Sequence, residues 1–217
     1  SYNTALGSDA LYSNTTASNN VAVGYQALYD KTTGTADVAV GYQALANVTT
    51  ANNNTALGHT AGNTLTTGSN NTCIGNNAQA SSATAANEFT LGNTLVTNLR
   101  CNDTTISSLS DARDKTNVVD IPLGLDFINK MRPVAFDWDR RDGSFAGKKD
   151  FGFIAQELKT IQDETDYAEH LRLVHEDNPE KLEADPMKTF PVLIKAIQEL
   201  SAKVEALQTE VNLLKGK

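Results

Sequence analysis

The rhythm of apolar and polar positions changes near residue 110. Upstream, apolar triplets alternate with long stretches of Asn, Thr and Ser, and each triplet runs into a glycine: Thr-Ala-Leu-Gly at 4–7, Val-Ala-Val-Gly at 21–24 and 38–41, Thr-Ala-Leu-Gly at 55–58, Thr-Cys-Ile-Gly at 72–75. Gly7, Gly24, Gly41, Gly58, Gly75 and Gly92 recur every 17 residues, which marks a repeat array. Three residues further on stand Ala10, Ala27, Ala44, Ala61 and Ala78, with Leu95 in the sixth repeat. A β-type triplet, a glycine that allows positive φ or close backbone approach, a small residue and a polar return describe one coil of a β-solenoid. Stacked at about 4.8 Å, such coils predict a stub roughly 25–30 Å long. Each coil holds few apolar side chains. One chain alone is therefore expected to bury too little to offset chain entropy of about 1–2 kcal/mol per residue, and burial between chains is expected to supply the rest.

Downstream the pattern is that of a small α+β domain. Val134, Phe136 and Trp138 alternate with Ala135 and Asp137, which predicts a half-buried strand. Gly152–Leu158 is expected to begin extended and turn into a helix, with 140–150 as the hairpin loop between. From Phe190 a heptad runs to the end: Phe190, Ile197, Val204 and Val211 at a, Leu193, Leu200, Leu207 and Leu214 at d. Four unbroken heptads predict a coiled coil. β-Branched a and leucine d positions suit two strands, but a short coiled coil must adopt the symmetry of the shaft it joins, so a trimer is expected. The expected architecture is a trimeric β-solenoid at 1–109, an α+β domain at 110–189 and a coiled-coil helix at 190–217.

Charge follows the same division. Only seven charged side chains lie in residues 1–109, against 37 in 110–217, and the net charge of -8 divides into -3 and -5. Neither half offers the basic surface that nucleic acid requires. No apolar run is long enough to span a membrane. Cys73 occupies the column of Ala5, Ala22, Ala39 and Ala56 and reads as a small core residue. With Cys101 it is expected to stay reduced. His59, His170 and His175 lack partners at metal-ligand spacing, so no metal or cofactor is expected. Asp137 and Asp139 are expected to be a solvated strand face. Tyr25, Tyr42, His59 and Asn76 share the position after the glycine and form a column, either packed, merely surface, or a ladder for a host-surface glycan. The chain opens on Ser1 and is expected to be a fragment of a longer protein.

Two resemblances sharpen this. Val-Gly-Tyr-Gln-Ala-Leu at 23–28 and 40–45 resembles the head repeats of trimeric autotransporter adhesins and similar phage-fibre repeats, which implies three side-by-side chains. The segments Ser110-Asp-Ala-Arg-Asp-Lys115, Arg132-Pro-Val-Ala-Phe-Asp-Trp138, Gly152-Phe-Ile-Ala-Gln-Glu-Leu158 and Ala196-Ile-Gln-Glu-Leu200 together resemble the intramolecular chaperone of endosialidase-type tailspikes, a self-cleaving peptidase class. The resemblance implies a homotrimeric viral tail fibre or spike, assembled in the host cytoplasm and carried on the virion. It also implies cleavage between Leu109 and Ser110, with Ser110 as nucleophile and Lys115 as base. Asp111, Arg113 and Gln156 would give support. Without the resemblance, a Ser-Asp pair before a helical segment reads as an N-cap. A lysine near pKa 10.4 is a poor base at neutral pH, so burial or cations must lower it. Arg113 would push that way and Asp114 against it. Residues five apart lie about 16 Å from each other on a strand and about 140° apart on a helix. The segment must therefore turn sharply, or Lys115 must meet Ser110 of another chain. The alternatives are an uncleaved structural tip and a glycan-binding adhesin.

Overall fold

The structure, a computed structural model, describes residues 2–102, 106–141, 143 and 145–216. The chain separates into two compact units, Ser1–Arg100 and Cys101–Lys217.

The first unit is a β-solenoid of about five turns. Its strands β1 (Thr4–Leu6), β2 (Val21–Val23), β3 (Val38–Val40), β4 (Thr55–Leu57), β5 (Thr72–Ile74) and β6 (Phe89–Leu91) form one parallel six-stranded sheet in sequence order. Register advances by one repeat per strand: Ala22 pairs with Ala39, Ala39 with Ala56 and Ala56 with Cys73. These central residues point inward and are fully buried. The repeated glycine is required twice over. Gly41 has φ +138°, and a Cβ there would run into the Gly58 carbonyl oxygen of the next coil.

A single chain closes its own core, contrary to the expectation that the coils have too little to bury. The lumen is narrow enough for Ala27, Ala44, Ala61 and Ala78 to fill one side, with Leu28, Leu45, Val48 and Leu65 completing it. A polar spine at the same spacing holds the coils in register. The side-chain oxygen of Asn3 accepts from the Asn20 backbone N–H at 2.9 Å, Asn20 from that of Asp37 at 2.8 Å, and Asp37 from that of Asn54 at 2.7 Å. Asn54 serves Asn71 at 3.0 Å, and Asn71 serves Glu88 at 3.1 Å. Each spine amide also donates to a carbonyl fourteen residues on, as Asn3 to Ala17 (2.8 Å), Asn54 to Gly68 (3.0 Å) and Asn71 to Ala85 (2.7 Å). Asp37 has no N–H to give. In its coil the fully buried Lys31 ammonium donates to Ala51 and pairs with the Asp37 carboxylate. Burial pushes the Asp37 carboxyl above its ordinary value, against the opposing pull of Lys31 and the Asn54 N–H.

The second unit contains α1 (Leu125–Ile128), a β7 (Val134–Asp137) and β8 (Lys149–Gly152) antiparallel hairpin, and α2 (Ala155–Asp163). After these come α3 (Ala168–Leu171), a two-residue pairing of β9 (Val174–His175) with β10 (Glu183–Ala184), and α4 (Phe190–Lys215). The second hairpin strand begins at Lys149, three residues before the expected extended segment, because Trp138 and Lys148 continue the backbone pairing outward from Asp137. Phe127, Leu158, Leu171, Leu173, Val174 and Val192 form the core. Helix α4 uses Val192 and Ala196 to face it, while all eight a and d residues from Phe190 to Leu214 are exposed on the single chain.

Candidate functional site

Lys115 and Ser110 meet within one chain. The agent is a sharp turn: Asp111, in an extended conformation, caps a 3-10 turn at Ala112–Asp114 by accepting the Arg113 backbone N–H at 2.9 Å. The Asp114 and Lys115 N–H groups then return to the Asp111 and Ala112 carbonyls, both at 3.2 Å. The four intervening residues are thereby folded back, and the Lys115 ammonium donates to Ser110 Oγ at 2.6 Å and to the Ser110 carbonyl at 3.2 Å. A hydroxyl this close to an amine has the geometry of a nucleophile and its base, within the ~2.6–3.2 Å reach such a pair needs. The Leu109–Ser110 peptide bond adjoins that hydroxyl, and Leu109 is completely exposed.

Arg113 does not stand free beside Lys115. Its guanidinium pairs with Asp111 at 2.6 Å, and this contact, then the Arg113 backbone N–H, holds the Asp111 carboxyl below its ordinary 3.8. The capping reading and the dyad reading are thus compatible: Asp111 builds the turn that brings Ser110 and Lys115 together. Ser110, Asp111, Arg113 and Lys115 are all exposed in the single chain. Gln156 lies exposed in the first turn of α2, and among the described residues no hydrogen bond joins it to the turn.

The other recurrent segments have structural work. Arg132, just before β7, forks onto the Glu157 carboxylate of α2, Nε at 3.1 Å, and this holds the Glu157 carboxyl below its ordinary range. Trp138 Nε1 donates to Asp150 at 3.3 Å across the hairpin. Glu199 of α4 accepts the Leu125 N–H at the start of α1 at 2.8 Å, and Ala196 one turn earlier is buried against the core. These links join residues 25, 12 and 74 positions apart. Such distances explain why motif order, but not partnership, was visible in the sequence.

Elsewhere, Asp137 and Asp139 lie on the exposed side of the hairpin, and no His/Cys/Asp/Glu group fit to hold a metal occurs among the described residues. Cys73 is buried and Cys101 exposed, both as free thiols; burial, with Glu88 adding to it, pushes the Cys73 thiol upward. The column after the glycines stacks on itself: Tyr25 on Tyr42 at 5.3 Å and Tyr42 on His59 at 4.9 Å, with Tyr12 on Tyr29 at 5.2 Å beside it. Ring faces inside these stacks are occupied by neighbouring rings. No described helix is long and apolar enough to cross a membrane.

Fold and site together define a class: a repeat solenoid carrying a small α+β unit that opens on a serine and lysine turn. Residues 110–167 match the family model described as chaperone of endosialidase, so the turn, the hairpin and α2 all lie inside the matched segment. No curated protein and no solved structure matches the chain.

Proposed function

We propose that this chain is the C-terminal part of a homotrimeric viral tail fibre or spike. In this reading residues 110–217 act as an intramolecular chaperone that registers three solenoids and then releases itself at Leu109–Ser110. The contact of Lys115 Nζ with Ser110 Oγ at 2.6 Å carries the reading, because it stands inside the segment that matches the chaperone family. The neutral Lys115 amine takes the Ser110 hydroxyl proton, and Oγ attacks the Leu109 carbonyl carbon. Collapse breaks the C–N bond, the proton passes from Lys115 to the departing Ser110 nitrogen, and an ester remains. Water hydrolyses that ester, leaving a Leu109 carboxylate and a Ser110 N-terminus.

A lysine acting as a base must be held in its uncharged form, which desolvation favours. In the lone chain the Lys115 side chain is open to solvent, so that desolvation comes from neighbouring chains and cleavage waits for assembly. Three α4 helices joined through Phe190, Leu193, Ile197, Leu200, Val204, Leu207, Val211 and Leu214 form the coiled coil. Release then leaves the shaft held by its unfolding barrier rather than by equilibrium.

Mass spectrometry of the parent with Ser110→Ala and Lys115→Ala tests this. The parent gives fragments ending at Leu109 and beginning at Ser110, Ser110→Ala stays whole, and Lys115→Ala slows by roughly 10²–10⁴-fold. Cleavage in the Ser110→Ala variant refutes the nucleophile, and a parent that splits while monomeric refutes control by assembly.

A further inference from the structure

The coils of the solenoid are so alike that each could stack on the wrong neighbour. β2 and β3 open the same eight-residue run, Val-Ala-Val-Gly-Tyr-Gln-Ala-Leu at 21–28 and 38–45, and β1 and β4 share Thr-Ala-Leu-Gly. A coil that skips its neighbour and closes on the next still sets glycine over glycine, small residue over small residue and spine position over spine position. The slip extrudes 17 residues as a loop, and the entropy of closing a loop grows only with the logarithm of its length. Repeat arrays also begin to fold at any coil. Apolar stacking alone therefore leaves such slips as traps during folding.

We propose that the buried Lys31 and Asp37 pair is a register mark, which makes the coil at 18–34 close on the coil at 35–51 and on no other. Among the described residues of the solenoid these two are the only buried charged side chains. Lys31 ends one coil, and its ammonium reaches the spine level of the next, where it meets the Asp37 carboxylate and the Ala51 carbonyl. Gly34 leaves room for it, since a Cβ there would collide with both Lys31 Nζ and the Ala51 oxygen. Were 18–34 to stack on 52–68, Lys31 would meet Asn54, whose amide already donates to the Gly68 carbonyl at 3.0 Å, and would find no carboxylate. Were the first coil to stack on 35–51, Asp37 would face Asn14, which stands at the Lys31 place one repeat earlier, and would find no cation. Either slip leaves one buried charge alone, which destabilises far more than an intact buried pair stabilises. The pair thus contributes selectivity rather than stability, the best attested use of a buried polar group in a repeated interface. It acts within one chain and is independent of cleavage.

The test refolds three full-length chains from denaturant: the parent, the neutral variant Lys31→Leu with Asp37→Asn, and a transplant that adds Val48→Lys and Asn54→Asp to the neutral variant and so moves the mark one repeat along. Pulsed hydrogen exchange read by mass spectrometry follows which coils become protected. The inference expects the neutral variant to refold several-fold more slowly than the parent although its folded state is no less stable. During refolding it should show a second population in which 18–34 or 35–51 stays unprotected between protected coils. The transplant should recover a single population. A pair that served only stability would leave the refolding of an equally stable variant unchanged. A neutral variant that refolds as one population at the parent rate overturns the inference, as does one that fails to fold, because the pair would then be needed for stability. A transplant that folds but refolds as heterogeneously as the neutral variant overturns it as well.

Discussion

Lys31 and Asp37 allow a sharp test of how the solenoid is held together. Along the 17-residue register Lys31 takes the place that Val48 and Leu65 hold in later coils, and Asp37 that of Asn54 and Asn71. The pair therefore substitutes for one apolar residue and one asparagine, with the Lys31 ammonium supplying the donor to Ala51 that an amide at 37 would provide. Asp37→Ala leaves a buried, unpaired ammonium and should cost about 3–5 kcal/mol. Lys31→Leu with Asp37→Asn removes both charges and restores an amide to the spine. It should be neutral or stabilise by about 1–4 kcal/mol. Because the chain has two units, local opening is the quantity to follow. Amide hydrogen exchange across β2–β4 should quicken by about a hundred- to several thousand-fold in Asp37→Ala, at about 1.4 kcal/mol per tenfold, and return to the parent rate or slower in the double variant. A double variant that exchanges as fast as the single would refute the idea that an asparagine can replace the ion pair.

The same pair sets a pH dependence. The Asp37 carboxyl is raised above 3.8 in the folded chain, so the folded state binds that proton more tightly than the unfolded one. Its contribution is complete below about pH 3.8 and is lost as pH rises through the raised value. The stability advantage of the double variant over the parent should accordingly widen across that window, measured by exchange at successive pH. Gly41→Ala forces a side chain to φ +138° against the Gly58 carbonyl and should cost about 3 kcal/mol or more, read as loss of protection in β3 and β4. Glu199→Ala removes the acceptor at the start of α1. It should cost about 1–2 kcal/mol, seen as earlier loss of Trp138 fluorescence on heating, with Glu199→Gln retaining much of it.

The solenoid was legible because its signal is translational. A glycine every 17 residues fixes the coil, and the triplet before it fixes the strand. The asparagine spine had the same spacing from Asn3 to Asn71 and could have been found by the same count. It escaped because polar residues in an Asn-rich return read as solvated loop, when the hydrogen bonds that bury them join different coils. For the same reason the core of a lone coil looked too open: a narrow lumen is filled by alanine. In the second unit the motifs were visible, but Arg132 with Glu157 and Leu125 with Glu199 become partners only through folding. The Ser110 and Lys115 contact shows the limit of spacing arguments. Ideal strands and helices keep such residues apart, and only the Asp111-capped turn brings them together.

Native mass spectrometry of freshly purified chain puts the most direct question to this account. An assembly of three copies of the 23.3 kDa chain should form first, and breakage between Leu109 and Ser110 should follow only within that assembly. A folded species that persists as one chain, or a cut at any other bond, would contradict it.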